Sequence, residues 1–143
     1  MPTRPDDDLL VDTSAAIALS VGDHEHHVST IDALSGHRLG LAGHAAFETF
    51  SVLTRLPPPA RRSPSTVARM LDANFPASRF LSVDGTRRLL ERLAEGGLAG
   101  GAVYDALVGA AAVEHGLTLV TLDRRALDTY RSLGVTVEIL PIA

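Results

Sequence analysis

The residues best suited to chemistry are four acids: Asp12, Glu48, Asp105 and Asp123. Two carboxylates about 4 Å apart repel by roughly 4 kcal/mol at an effective dielectric of 20. Four gathered at one place would therefore take up protons or need a cation. The sequence contains no cysteine, so the donors are oxygens, and an oxygen-only set points to Mg²⁺ or Mn²⁺. Hydroxyls at Thr13, Ser14 and Thr121 stand beside the acids and suit the orientation of a carboxylate or of a metal-bound water.

Whether the acids meet depends on the elements that carry them. The stretch from Ala102 to Asp128 is the most informative. Asp105 lies near the start of an apolar, alanine-rich run that reads as helix up to His115, and Gly116 supplies the usual C-terminal stop. Leu117 to Thr121 then reads as a buried strand, followed by Asp123. From Asp105 the helix travels about 16 Å at 1.5 Å per residue. The strand returns about 20 Å at 3.3 Å per residue. Packed antiparallel, the two legs nearly cancel and bring both acids to one edge.

The rest of the chain alternates in the same way. Leu9, Leu10 and Val11 form a strand ending at Asp12, followed by a short helix through Ala15 to Leu19. Val28, Ile31 and Leu34 mark an amphipathic helix before Gly36. Arg38 to Ala42 reads as a second strand. A helix from about Gly43 to Arg55 carries Glu48 near its start, with Phe47, Phe50 and Leu53 on one face. Prolines hold the loop RLPPPARRSP extended, and Ser63-Pro64 opens the next helix, with Val67, Met70 and Leu71 as its apolar face.

Phe80 to Val83 is expected as a third strand, with Asp84 capping a helix through Leu89, Leu90 and Leu93 that ends at Gly96 and Gly97. After the central stretch come a short helix marked by Leu127, Tyr130 and Leu133, and a last strand from Val135 to Leu140. Strands alternating with helices, without hairpin signals, argue for an α/β fold with a parallel sheet covered on both faces. Ligands bind such sheets beyond the carboxyl ends of the strands, which is where all four acids fall.

The bulk properties agree with one domain. A chain of 143 residues is long enough to bury about two-thirds of its unfolded surface. Residues 1–8 read as an acidic N-terminal tail and 9–143 as a single domain. The chain is 45% hydrophobic and 21% charged, which excludes a disordered protein. Acids at 6–8 precede only a short apolar run, unlike a signal peptide, and no run is long enough to span a membrane. A cytoplasmic protein is expected. The net charge of −4 argues against a polyanion partner by itself. Without the four acids, however, 13 acidic residues face 13 arginines, so the outer surface need not repel nucleic acid.

At these residues the sequence resembles PIN-domain ribonucleases, and within them the toxin subunit of VapBC-type bacterial toxin–antitoxin pairs. The resemblance rests on Leu-Val-Asp-Thr-Ser at 10–14, Ala-Phe-Glu ending at Glu48, Tyr-Asp-Ala-Leu at 104–107 and Thr-Leu-Asp at 121–123. It implies a five-stranded parallel sheet flanked by helices and a divalent-metal-dependent endoribonuclease acting on structured RNA such as tRNA or rRNA. It also implies inhibition by a cognate antitoxin, and a homodimer that joins the antitoxin in a hetero-oligomer. Asp12, Glu48, Asp105 and Asp123 would be the catalytic, metal-site carboxylates, with Ser14 and Thr121 as accessory polar residues. Asp12 and Asp105 would be the principal ligands, and Glu48 and Asp123 would complete the site or hold a second ion. A bound metal lowers the pKa of its water and offsets charge on the phosphate, while a carboxylate accepts the water's proton.

Other readings are weaker. HEHH at 24–27 beside Asp23 invites zinc, but its irregular spacing and lack of a distant partner argue against it. GGLAGG at 96–101 follows a helix rather than a strand and so is no dinucleotide fingerprint. Asp84 and Asp128 read as a helix cap and an exposed acid. A receiver domain would need a lysine, and a haloacid-dehalogenase-type phosphatase an Asp-x-Asp; here the run is Asp12-Thr13-Ser14. The remaining alternative is a catalytically silent PIN-like module that binds RNA or protein. Arg55, Arg61 and Arg62 around the prolines, and Arg124 and Arg125 beside Asp123, are the candidate phosphate contacts. With 4% aromatics and no tryptophan, extensive base stacking is not expected.

Overall fold

The computed structural model describes residues 8–140. The acidic stretch up to Asp7 and residues 141–143 lie outside the described residues. Four three-residue strands, β1 (Leu9–Val11), β2 (Leu39–Leu41), β3 (Leu119–Thr121) and β4 (Val137–Ile139), form a parallel sheet in the order β2-β1-β3-β4. Their side chains alternate between two cores, as a period of two requires. Leu10 and Leu119 join one core, while Leu9, Val11, Leu41 and Val120 join the other. Burial on both faces explains why these strands read as continuous apolar runs.

Among the described residues, seven α-helices cover the sheet. They are α1 (Thr13–Ser20), α2 (His27–Leu34), α3 (Ala45–Thr54), α4 (Pro64–Asn74), α5 (Val83–Gly96), α6 (Ala102–His115) and α7 (Leu127–Ser132), with a 3-10 turn at Arg124–Ala126 before the last. The core containing Leu10 packs residues of α5, α6 and α7; the other packs Ala15 and Ala16 of α1, Leu34 of α2 and Phe75 after α4. Helix ends follow local chemistry. Ser63 Oγ accepts from Thr66 N ahead of Pro64, and Gly97 and Gly116 terminate α5 and α6 at φ of 67° and 65°.

Two expectations are corrected. Among the described residues the sheet has four strands, not five, and Phe80–Val83 is not one of them. The chain instead runs beside β2 slightly earlier, through Ala77 N to Leu39 O and Arg79 N to Leu41 O, and registers only as a single parallel bridge, Ala42 to Arg79. The reason is a helix cap: Ser82 accepts from Gly85 N and turns the chain into α5 at Val83, which ends any strand there. Asp84 therefore lies in the first turn of α5 and does not cap it. Apolar periodicity also overstated two faces, since Phe47 on α3 and Leu90 on α5 are 66% and 62% exposed.

Candidate active site

The sheet order places the chain's reversal between β1 and β3, and the register there sets the site. Leu10 pairs with Leu119 and Val11 with Val120, so Asp12 and Thr121 emerge side by side. Asp12 is buried, and four donors surround its carboxylate. Oδ1 accepts from Ser14 Oγ at 2.6 Å and Ala15 N at 3.1 Å, the second being the cap of α1. Oδ2 accepts from the Thr121 hydroxyl and from Tyr130 Oη at 2.9 Å. Burial raises the Asp12 pKa, and these hydrogen bonds oppose the rise.

The loop after β3 is knitted to the same point. Ser14 Oγ accepts from Leu122 N at 2.9 Å, and Thr121 Oγ1 accepts from Asp123 N at 2.9 Å. Asp123 then caps the 3-10 turn through Arg125 N, with Arg125 Nε 3.5 Å from its Oδ1. Glu48 occupies the first turn of α3, where the positive end of the helix dipole favours an acid. His44 Nε2 lies 3.7 Å from Glu48 Oε1, and the His44 ring stacks on Tyr104 at 5.0 Å. Asp105 stands in the first turn of α6. Partial burial raises its pKa first, and the charges of Asp123, Glu48 and Asp12 raise it further, with Arg125 opposing. The Asp105 side chain makes no hydrogen bond or ion pair among the described residues.

Asp105 thus feels the charges of three acids carried by other elements far apart in sequence. Among the described residues no three carboxylates or imidazoles stand close enough to form a ready-made ligand cluster. The donor chemistry nevertheless fits a hard divalent ion: Asp105 is unpaired and pressed by three like charges, a position a cation would relieve. Of the three hydroxyls that stand beside the acids in the sequence, those of Ser14 and Thr121 donate to Asp12. Thr13 does not take part, and its hydroxyl is buried without a partner among the described residues.

Two neighbours escaped the sequence reading. Tyr130 reads as one apolar marker among leucines, and its partner is 118 residues away. His44 had no signal beyond lying one turn before Glu48. The arginines divide into two groups. Arg124 and Arg125 are exposed beside Asp123. Arg62 instead donates to Ser20 O at 2.7 Å, at the far end of α1, and Arg61 to Leu56 O at 2.8 Å. Arg55 caps the far end of α3 from Glu48. At 24–27 the histidines bond locally, His26 N to His24 Nδ1 and His27 Nδ1 to Ala18 O.

Known proteins share both the sequence and the fold. The chain is 47% identical over 131 residues to Ribonuclease VapC27 of Mycobacterium tuberculosis, covering 92% of this chain and 96% of that protein. It is 45% identical over 131 residues to Ribonuclease VapC40 of the same organism, covering 90% and 96%. The fold is similar to VapBC2 from Rickettsia felis bound to a promoter DNA fragment, with a TM-score of 0.67, 14% identity and coverage of 94% and 100%. It is also similar to M. tuberculosis VapC20, a Sarcin-Ricin loop cleaving toxin, with a TM-score of 0.64, 18% identity and coverage of 84% and 93%. The PIN domain model matches residues 9–132, a span that takes in every element bearing one of the four acids, and the chain belongs to that family.

Proposed function

We propose that this chain is a divalent-metal-dependent endoribonuclease, the toxin of a VapBC-type pair, carried by one PIN-like domain from residue 9 to 143. Its substrate is structured cellular RNA such as tRNA or rRNA, cut in the cytoplasm and protected when a cognate antitoxin is bound. The observation that carries this reading is Asp105 in the first turn of α6, its side chain unpaired among the described residues and its pKa raised first by partial burial and then by the charges of Asp123, Glu48 and Asp12. Identity to two proteins named ribonucleases over nearly the whole chain supports the substrate class. Among the described residues, no helix is long and apolar enough to cross a membrane.

Asp12 and Asp105 are the residues to hold Mg²⁺ or Mn²⁺, with Glu48 and Asp123 completing the set. The ion supplies Lewis acidity toward the phosphate and a lowered pKa for water. The protein supplies position. Ser14 and Thr121 fix the plane of Asp12, and Asp105 accepts a proton more readily than an ordinary aspartate because it is partly buried and its neighbours are acids. For the assembly we propose a homodimer, supported by the exposed Phe47 and Phe80, whose rings meet edge-on at 6.5 Å, and by exposed Val83. The antitoxin would set a basic group against the acids.

Single-turnover cleavage with saturating enzyme tests the central claim, after 5′-end sequencing of RNA from induced cells has identified the target. Cleavage should require added Mg²⁺ or Mn²⁺, and Asp105→Asn should be slower by about 100-fold or more. An Asp105→Asn protein that cuts at the wild-type rate would overturn the assignment and favour a silent binding module. Mixing with antitoxin should stop cleavage near an equal molar ratio.

A further inference from the structure

An ionised carboxylate offers about four lone-pair sites, and protein donors already occupy four on Asp12. The donors are not equivalent. Both groups on Oδ2, Thr121 and Tyr130, are fully buried, at 0% and 1% exposure. The hydroxyl on Oδ1 belongs to Ser14, which is half-buried in the first turn of α1. Oδ2 is therefore tied into the core, and Oδ1 is the oxygen whose hydroxyl partner can give way to a ligand arriving from solvent.

Tyr130 packs in the core with Leu10, Ala106 and Leu119. Phenylalanine would fill the same space, so packing does not account for the hydroxyl; a buried hydroxyl is unfavourable without a partner. Its reach depends on α6. A Cβ on Gly109 would lie 3.1 Å from Tyr130 Cδ1 and 3.1 Å from Val135 Cγ2, so a larger residue would push the ring or its neighbours back by a few tenths of an ångström. Asp105 lies one helical turn before Gly109, and the same close contact between α6 and α7 thus sets the distance from Asp105 to the residue that holds Asp12.

We propose that Tyr130 is a positioning residue for Asp12: with Thr121 it pins Oδ2, so that Oδ1 is presented to a divalent cation at the acidic edge of the sheet. This rests on the metal-dependent reading of the site.

Titration of free Mn²⁺ by its electron paramagnetic resonance signal tests it without reference to cleavage. Tyr130→Phe keeps the ring and should bind Mn²⁺ about 10-fold more weakly or worse. Leu133→Ala, in the same core cluster but without a polar group, should lower the melting temperature and keep wild-type Mn²⁺ affinity. If the wild type binds no Mn²⁺, the metal reading itself falls, and the inference with it. If the wild type binds and Tyr130→Phe binds equally, only the role of Tyr130 is overturned. Equal weakening in both variants also overturns it, because the effect is then one of stability.

Should Tyr130→Phe not fold, a labelled protein gives the second measurement. The chain has 2 tyrosines, so 3-fluorotyrosine in a Tyr104→Phe background reports Tyr130 alone. Its ¹⁹F resonance should move on Mg²⁺ addition along the same saturation curve as metal binding. A resonance that stays fixed at saturating Mg²⁺ overturns the proposal.

Discussion

Burial raises the pKa of both Asp12 and Asp105 from the ordinary value of 3.8, and the sign has a measurable consequence. In the range above 3.8 the folded protein binds protons that the unfolded chain has released. Stability from these two groups is therefore fully present below that value and lost as pH rises through the raised pKa values, the reverse of a salt-bridged carboxylate. Asp105→Asn removes one of the repelling charges. In chelator at about pH 7, calorimetry should show it melting a few degrees above the wild type. The gap should close toward about pH 4 and reverse in Mg²⁺, which stabilises only the protein able to bind it. A constant gap across pH would mean that the charge on Asp105 is not what strains the site. At this scale the sequence was legible where partners are close in the chain or follow from strand register. Asp12, Ser14 and Thr121 meet those conditions. Tyr130 meets neither: its hydroxyl reaches Asp12 across 118 residues, where Gly109 leaves room for the close packing of α7 on α6.

At the scale of elements, helix ends were read well where a local rule decides them and poorly where two rules compete. Ser63-Pro64 and Gly116 each had one reading. Around Ser82 the run Phe80-Leu81-Ser82-Val83 offered both a strand and a cap, and the cap prevailed because Glu114 supports it. Glu114 accepts from Ser82 Oγ at 2.6 Å and Ser82 N at 2.8 Å, a tertiary contact with no local signal. Ser82→Ala should therefore cost about 1–2 kcal/mol in chemical denaturation, while Asp84→Ala should cost a few tenths. Equal losses would restore Asp84 as the cap. The segment that does run beside β2 depends on a close approach. Gly40 lets residues 77–79 lie against β2, since a Cβ there would fall 2.2 Å from the Ala77 carbonyl carbon. Gly40→Ala must push that segment away, and should destabilise by about 3 kcal/mol while leaving the β1–β3 contact that forms the site. Methyl NMR of Leu10 and Val120 would show whether that contact survives.

The whole molecule must attract RNA with a net charge of −4 and an acidic edge. The only basic groups flanking that edge among the described arginines assigned to phosphate are Arg124 and Arg125. Arg125 has its side chain 94% exposed and within 3.5 Å of Asp123, so it offsets the acids while remaining open to a phosphate. Arg62 differs. It joins the proline-rich loop to α1 through Ser20 O, and α1 carries that point about 12 Å from Asp12 at 1.5 Å per residue. Two separate effects follow. Replacing Arg124 and Arg125 by Ala should weaken binding of a non-cleavable RNA at low salt and flatten the salt dependence by up to about two phosphate contacts, with the melting temperature unchanged. Arg62→Ala should lower stability by about 1 kcal/mol through the lost hydrogen bond and leave the salt slope nearly untouched. Asp105→Asn should bind the same RNA as well as the wild type or better, because less negative charge faces the phosphates. Binding titrations at several salt concentrations, paired with melting curves, separate these outcomes. If Arg62→Ala takes the slope and Arg124→Ala with Arg125→Ala does not, the RNA approaches across the proline-rich loop, and the acidic edge is reached from the other side.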